Sequence, residues 1–182
     1  MPLRGLNQNE SESDMADQFD MFDGEGAFLA KIRHLWNKAI EGEGGFCPCC
    51  GKWGKVYKTK MSQHLALCLR WISTHGDAEG WVDVQNTAPR FMLKSKTYTL
   101  LEHWDLIESK SNRSGIWRAT LKGQDFISGQ ISLPSAVHIY DNRVWGFEAE
   151  EISFRGCFGK HFDFDEMMSS QFKWANIQEK KQ

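Results

Sequence analysis

A chain of 182 residues with eight Trp, twelve Phe and 41% hydrophobic residues is not a wholly disordered protein. It is long enough for one substantial core, with or without a small satellite module. The formal net charge of −2 excludes a uniformly basic nucleic-acid binder, so any such activity must come from how the charge is distributed.

Apolar runs fall short of the ~18–20 residues a membrane span requires, and the N-terminus lacks a signal-peptide pattern. Five Cys, three of them inside four positions, suit a metal site in a reducing compartment better than a disulfide framework. A cytoplasmic location is therefore expected. Residues 1–25 carry −6, residues 26–43 +1, residues 44–122 +6 and residues 123–182 −3. A basic middle between acidic ends fits a nucleic-acid face.

Residues 1–25 are predicted to form an acidic disordered tail. Phe19, Met21 and Phe22 interrupt its acidity. They leave three readings open: a solubilising tail, a short linear motif that docks on a partner, and a segment that folds over the basic face in competition with DNA.

Residues 26–75 are predicted to form a helix followed by a zinc-binding module. Phe28, Ile32, Leu35, Trp36 and Ile40 recur at a helical period, and Gly42, Gly44 and Gly45 stop the helix. Cys47-Pro48-Cys49-Cys50-Gly51 follows. Two residues between Cys47 and Cys50 let both sulfurs face one ion, and Gly51 permits the tight turn that aims backbone N–H groups at them. Zn2+ in a structural site needs two more ligands, and His64 and Cys68 stand four apart on a predicted helix, hence on one face. The pattern Cys47-x2-Cys50-x13-His64-x3-Cys68 resembles a ββα zinc finger with residues 51–60 as its hairpin. It departs from that family in the longer gap, the extra Cys49 and the final Cys. Cys49, or Cys157 with His161, remain alternative ligands. No His-x-Glu pattern stands near the knuckle to handle protons, so the zinc is expected to be structural. Lys52, Lys55, Lys58, Lys60 and Arg70 have no acid among them, which reads either as a phosphate clamp or as a solvated hairpin.

Residues 76–130 are predicted as helix, turn at Met92–Lys94, helix from Ser95 to His103, strand 106–108, polar loop 109–115, strand 116–119 and a helix opening at Thr120. Tyr98, Leu101 and Trp104 stand three apart and are expected to face the core. That order, with the run "W-x-L-I-E … I-W-R-A-T-L-K-G", resembles the "G-L-I … L-T-x-K-G" signature of winged-helix regulators related to the MarR family. In such a module Lys96 and Thr99 would read base edges, while Lys94 and Ser95 at the helix N-terminus would hold phosphate. The wing carries Lys110 and Arg113, suited to the minor groove or to phosphate.

Residues 131–182 are predicted to form a C-terminal β-hairpin turning at Asp141-Asn142-Arg143, a further strand at 152–154 and a short helix with Met167, Met168, Phe172 and Trp174, packed on the winged unit. The whole is expected to be α+β: a zinc-knuckle/ββα-like module, then a winged helix-turn-helix, then the hairpin and helix. The knuckle followed by K-V-Y-K, with "L-L-E-H-W-D-L-I-E … G-I-W-R-A-T-L-K-G", is also similar to small proteins of bacteriophages and prophages. That resemblance implies a zinc-knuckle plus winged-helix architecture and a bacterial host cytoplasm. Two functions are carried forward: a non-enzymatic, zinc-stabilised regulator of double-stranded DNA, and a phage-encoded inhibitor or adaptor of a host protein complex with the winged unit as scaffold. No Ser/His/Asp set, P-loop or carboxylate pair is legible, so catalysis is not expected.

Overall fold

The computed structural model describes residues 24–111 and 115–177; residues 1–23 of the predicted acidic tail and Arg113 lie outside them, while residues 24–25, predicted as the end of that tail, open a helix. The fold is α+β, and the chain divides between Val56 and Tyr57 into two units.

In residues 24–56, α1 (Gly24–Glu41) runs into a two-stranded antiparallel ribbon, β1 (Gly45–Phe46) and β2 (Trp53–Gly54), with Phe46 opposite Trp53. Gly44 N–H donates to the Ala39 carbonyl at 2.9 Å with φ at +92°, the left-handed end that a helix needs to turn away. Ile40 is buried and its carbonyl accepts from Val56 N–H at 2.7 Å. The helical period is as expected, but the stripe is not wholly covered: Phe28 is 62% and Leu35 58% exposed. So short a unit lacks the apolar material to enclose a full helix face.

In residues 57–177, β3 (Tyr57–Lys60) leads into α2 (Gln63–Thr74), which Ser62 caps by accepting from Leu65 N–H at 3.3 Å. α2 buries Leu65, Ala66, Leu67, Cys68, Leu69, Trp71 and Ile72 and is the spine of the core. There follow β4 (Val82–Asp83), α3 (Val84–Thr87), α4 (Arg90–Ser95), a 3-10 helix (Thr97–Trp104), β5 (Ile107–Ser109), β6 (Ile116–Ala119) and α5 (Leu121–Ile127). The three strands among them form one antiparallel sheet in the order β4-β6-β5. The remainder supplies β7 (Leu133–Pro134), β8 (Ala136–Tyr140), β9 (Arg143–Phe147), β10 (Glu151–Ile152) and α6 (Phe164–Met168). β7 pairs with β10, and β3, β8 and β9 form a second three-stranded sheet in that order. Asp141 and Asn142, at φ +49° and +59°, make the predicted tight turn between β8 and β9.

Three expectations are corrected. Residues 51–60 do not form a hairpin: β2 folds back on β1, while β3 pairs with β8, Tyr57 opposite Ile139 and Lys60 opposite Ala136. The ββα-like module is therefore not built, because the edge offered by β8 takes the strand that a finger would use, and α2 serves the larger core. The turn between the two short helices falls at Lys96, not at Met92–Lys94. Lys96 is left-handed (φ 52°) and its N–H donates to the Met92 carbonyl at 3.0 Å, ending α4. Finally, the second of those helices is 3-10 rather than α. The C-terminal region is part of the core: the Phe154 and Phe126 rings meet edge-on at 5.5 Å, and Trp104 Nε1–H donates to the Pro134 carbonyl at 3.0 Å.

Candidate nucleic-acid interface and cysteine knuckle

The knuckle sits at the tip of the β1–β2 ribbon. Cys47 N–H donates to the Lys52 carbonyl at 2.8 Å and Gly51 N–H to the Cys47 carbonyl at 2.7 Å, which closes the loop around the cysteines. Gly51 holds φ +68°, a conformation other L residues rarely adopt. The backbone N–H groups of Cys49 and then Cys50 bond the Cys47 sulfur and push its pKa down, favouring the thiolate; desolvation opposes them weakly. Cys49 and Cys50 are exposed and Cys47 is half-buried. Cys47 and Cys50 thus fit two thiolate positions of a zinc site, as their spacing implies.

His64 and Cys68 lie on one face of α2, as the spacing requires, but Cys68 is turned into the core while His64 is half-exposed. Cys68 is 0% exposed among apolar side chains, and burial raises its thiol pKa far above the ordinary value. Cys68 is accordingly part of the core. His64 Nε2 shares a hydrogen bond with Ser95 Oγ at 3.0 Å, and its ring meets Phe91 edge-on at 5.6 Å. Cys157 is half-buried, its Sγ donates to the Ser153 carbonyl at 3.5 Å, and burial pushes its pKa up to about 12. His161 is exposed. Among the described residues no group of three or more His, Cys, Asp or Glu side chains is gathered to hold an ion.

On the other candidate surface, Lys94, Ser95, Lys96 and Thr99 are all exposed. A 3-10 helix has three residues per turn, so side chains three apart eclipse. Tyr98, Leu101 and Trp104 form the buried row and Thr99 and Glu102 an exposed one, with Lys96 exposed at the left-handed residue just before the helix. Ser95 Oγ lies between His64 and the Thr97 hydroxyl (3.1 Å), so it is already engaged within the protein. Lys110, at the base of the 109–115 loop, is exposed with its Nζ 5.6 Å over the Trp81 ring. Arg118, which sequence reasoning missed, stacks on the same ring at 4.3 Å and bonds Glu108 across the β5–β6 pair. Its only sequence signal was alternation within "I-W-R-A", which puts Arg118 on the same face as Ile116 and opposite to Trp117 and Ala119.

The lysine run is divided between the two units. Lys52 and Lys55 belong to residues 24–56, where Lys55 lies 4.0 Å from Glu43. Lys58 and Lys60 belong to β3, where Lys58 pairs with Glu148 at 2.6 Å and Lys60 is exposed.

No known protein family, curated protein or solved structure matches the chain. No helix among the described residues is long and apolar enough to cross a membrane.

Proposed function

We propose that residues 57–177 carry a winged helix that binds double-stranded DNA, as expected of a regulator. The observation that supports this most is topological. A core helix, a strand, three short helical segments and two further strands follow one another, and the strands assemble in the order β4-β6-β5 with a basic loop between the last two. In that reading Lys96, at the turn, and Thr99 of the 3-10 helix enter the major groove, with Lys94 beside them on phosphate, while Lys110 and Arg113 of the 109–115 loop take the adjacent groove or backbone. Glu102, on the same row, would tolerate the groove only opposite a cytosine amino group. Ser95 is dropped as a phosphate ligand because its hydroxyl is spent on His64 and Thr97.

Zinc belongs to the proposal as a structural ion on Cys47 and Cys50. When bound it would cross-link the knuckle loop and hold the ribbon end closed. The two thiolates supply half of a tetrahedral set. Cys49, in the same loop, is available by residue type for part of the remainder.

The test is binding of the purified protein to random-sequence duplex DNA over a salt series. A steep linear fall of log affinity with log salt supports phosphate contacts. Absence of binding at low salt overturns the proposal and directs attention to a host protein complex as the partner.

A further inference from the structure

β9 is an edge of the β3-β8-β9 sheet and contains neither Pro nor Lys. Val144, Trp145 and Phe147 are 42%, 41% and 47% exposed, on five consecutive strand residues. Contiguous apolar exposure of this kind marks a contact surface rather than a solvated one.

The backbone points the same way. Tyr140 and Arg143 flank the two-residue turn, and at the other end Glu148 N–H donates to the Ala136 carbonyl at 3.0 Å. Both pairs therefore bond within the hairpin. Counting inward from either end, antiparallel alternation leaves Val144, opposite Ile139, and Phe147, opposite Val137, with their N–H and C=O groups turned away from β8. The irregularity at Trp145 is what allows residues three apart to share both orientation and face.

We propose that two copies of this chain pair antiparallel through β9, about a two-fold axis between Trp145 and Gly146. In that register Val144 of one copy lies opposite the partner's Phe147, a β-branched–aromatic pair. Trp145 covers the partner's Gly146, an aromatic over an edge glycine. Arg143 lies opposite the partner's Glu148. Lys58 and His138 both act on Oε1 of Glu148, at 2.6 and 2.9 Å, which leaves Oε2 for the partner's guanidinium. Of the other two-fold registers compatible with the outward groups, the one centred on Val144 leaves both charges without a counterpart, and the one centred on Phe147 sets Glu148 opposite Gly146. An isologous contact of this kind closes on itself as a dimer. Five residues a side fall short of the roughly 800 Å² per partner of a standard interface, so dissociation in about the micromolar range is expected. The pairing does not depend on the DNA reading.

Sedimentation equilibrium of the full chain, from about 5 to 500 μM, tests it. The wild type is expected to dimerise reversibly. Phe147→Lys and Val144→Pro, the latter removing an outward N–H that β8 does not use, are each expected to weaken the dimer at least about tenfold with unchanged circular dichroism. Leu121→Lys, at an even more exposed apolar site away from this sheet, leaves the dimer intact. A wild type that stays monomeric across the range overturns the proposal. So does a dimer of undiminished strength in Phe147→Lys, which decides the matter should the proline variant fail to fold.

Discussion

Gly123 lies against the carbonyl of Leu106: a Cβ at Gly123 would run into that oxygen, with Leu69 Cδ1 only 3.3 Å away. The close approach follows from how α5 begins. Thr120 N–H donates to the same Leu106 carbonyl at 3.0 Å, the Thr120 hydroxyl donates to the Asp105 carbonyl at 2.6 Å, and Gly123 N–H donates back to Thr120 Oγ1 at 3.1 Å. The helix is thereby pinned onto the chain entering β5. Because the obstacle is backbone, it cannot swing aside.

Gly123→Ala is therefore expected to destabilise residues 57–177 by about 1–3 kcal/mol through overpacking, even though alanine is the better helix former by ~1 kcal/mol. The check is a denaturant midpoint for both proteins. An alanine variant as stable as wild type, or more so, would show that α5 does not sit so close.

Charge at Lys96, before the 3-10 helix, and at Lys110, after β5, should be readable in DNA binding. Lys96→Gln and Lys110→Gln are each expected to weaken binding at all sequences and to reduce the slope of log affinity against log salt by about 1. Lys58→Gln, whose side chain is held by Glu148, is expected to leave that slope unchanged. Fluorescence anisotropy over a salt series separates the three.

The knuckle should behave as a local unit. Cys47→Ser or a strong chelator is expected to abolish zinc binding while the amides of α2 and the β4-β6-β5 sheet keep their hydrogen-exchange protection. One zinc per chain retained in Cys47→Ser would place the ligands elsewhere. In the native metal-free protein, buried Cys68 and half-buried Cys157, both with raised pKa values, should resist alkylation at neutral pH, whereas Cys47, with its lowered pKa, should react readily; mass spectrometry of the labelled peptides gives the order.

A pH dependence follows from Glu148. Lys58 first, and then His138, hold its carboxyl below the usual range by hydrogen bonding. A folded-state pKa below the unfolded one contributes stability above the unfolded pKa, about 4.3 for Glu, and loses it as pH falls through the folded value. Glu148→Gln is thus expected to be less stable than wild type above about pH 5, with the gap closing towards more acidic pH. A gap that stays constant with pH would mean the pair contributes through packing alone.

Much of the local architecture was legible because its causes act within a few residues. Gly42, Gly44 and Gly45 stop α1, Cys47-x2-Cys50-Gly51 makes its own loop, Asp141-Asn142 turn the hairpin, and Thr120 caps α5. Even the 3-10 helix was latent in the strict spacing of Tyr98, Leu101 and Trp104, which matches three residues per turn better than 3.6.

What those signals do not contain is the competition between distant partners. Residues 57–60 carry no mark that selects β8 over the neighbouring 53–54 segment, so the hairpin of a zinc finger and the strand of a larger sheet look alike until β8 is present to pair with. The i,i+4 spacing puts His64 and Cys68 on one face but leaves open whether that face looks to water or to the core. Packing decided it: α2 is the helix around which Trp104, Phe126 and Phe154 close, and burying that face sequesters Cys68 with them. The sequence by itself determined where the chain turns, caps and breaks. Only the tertiary structure decided which edges pair and which faces are buried, because burial is a property of the assembled core and not of any one segment.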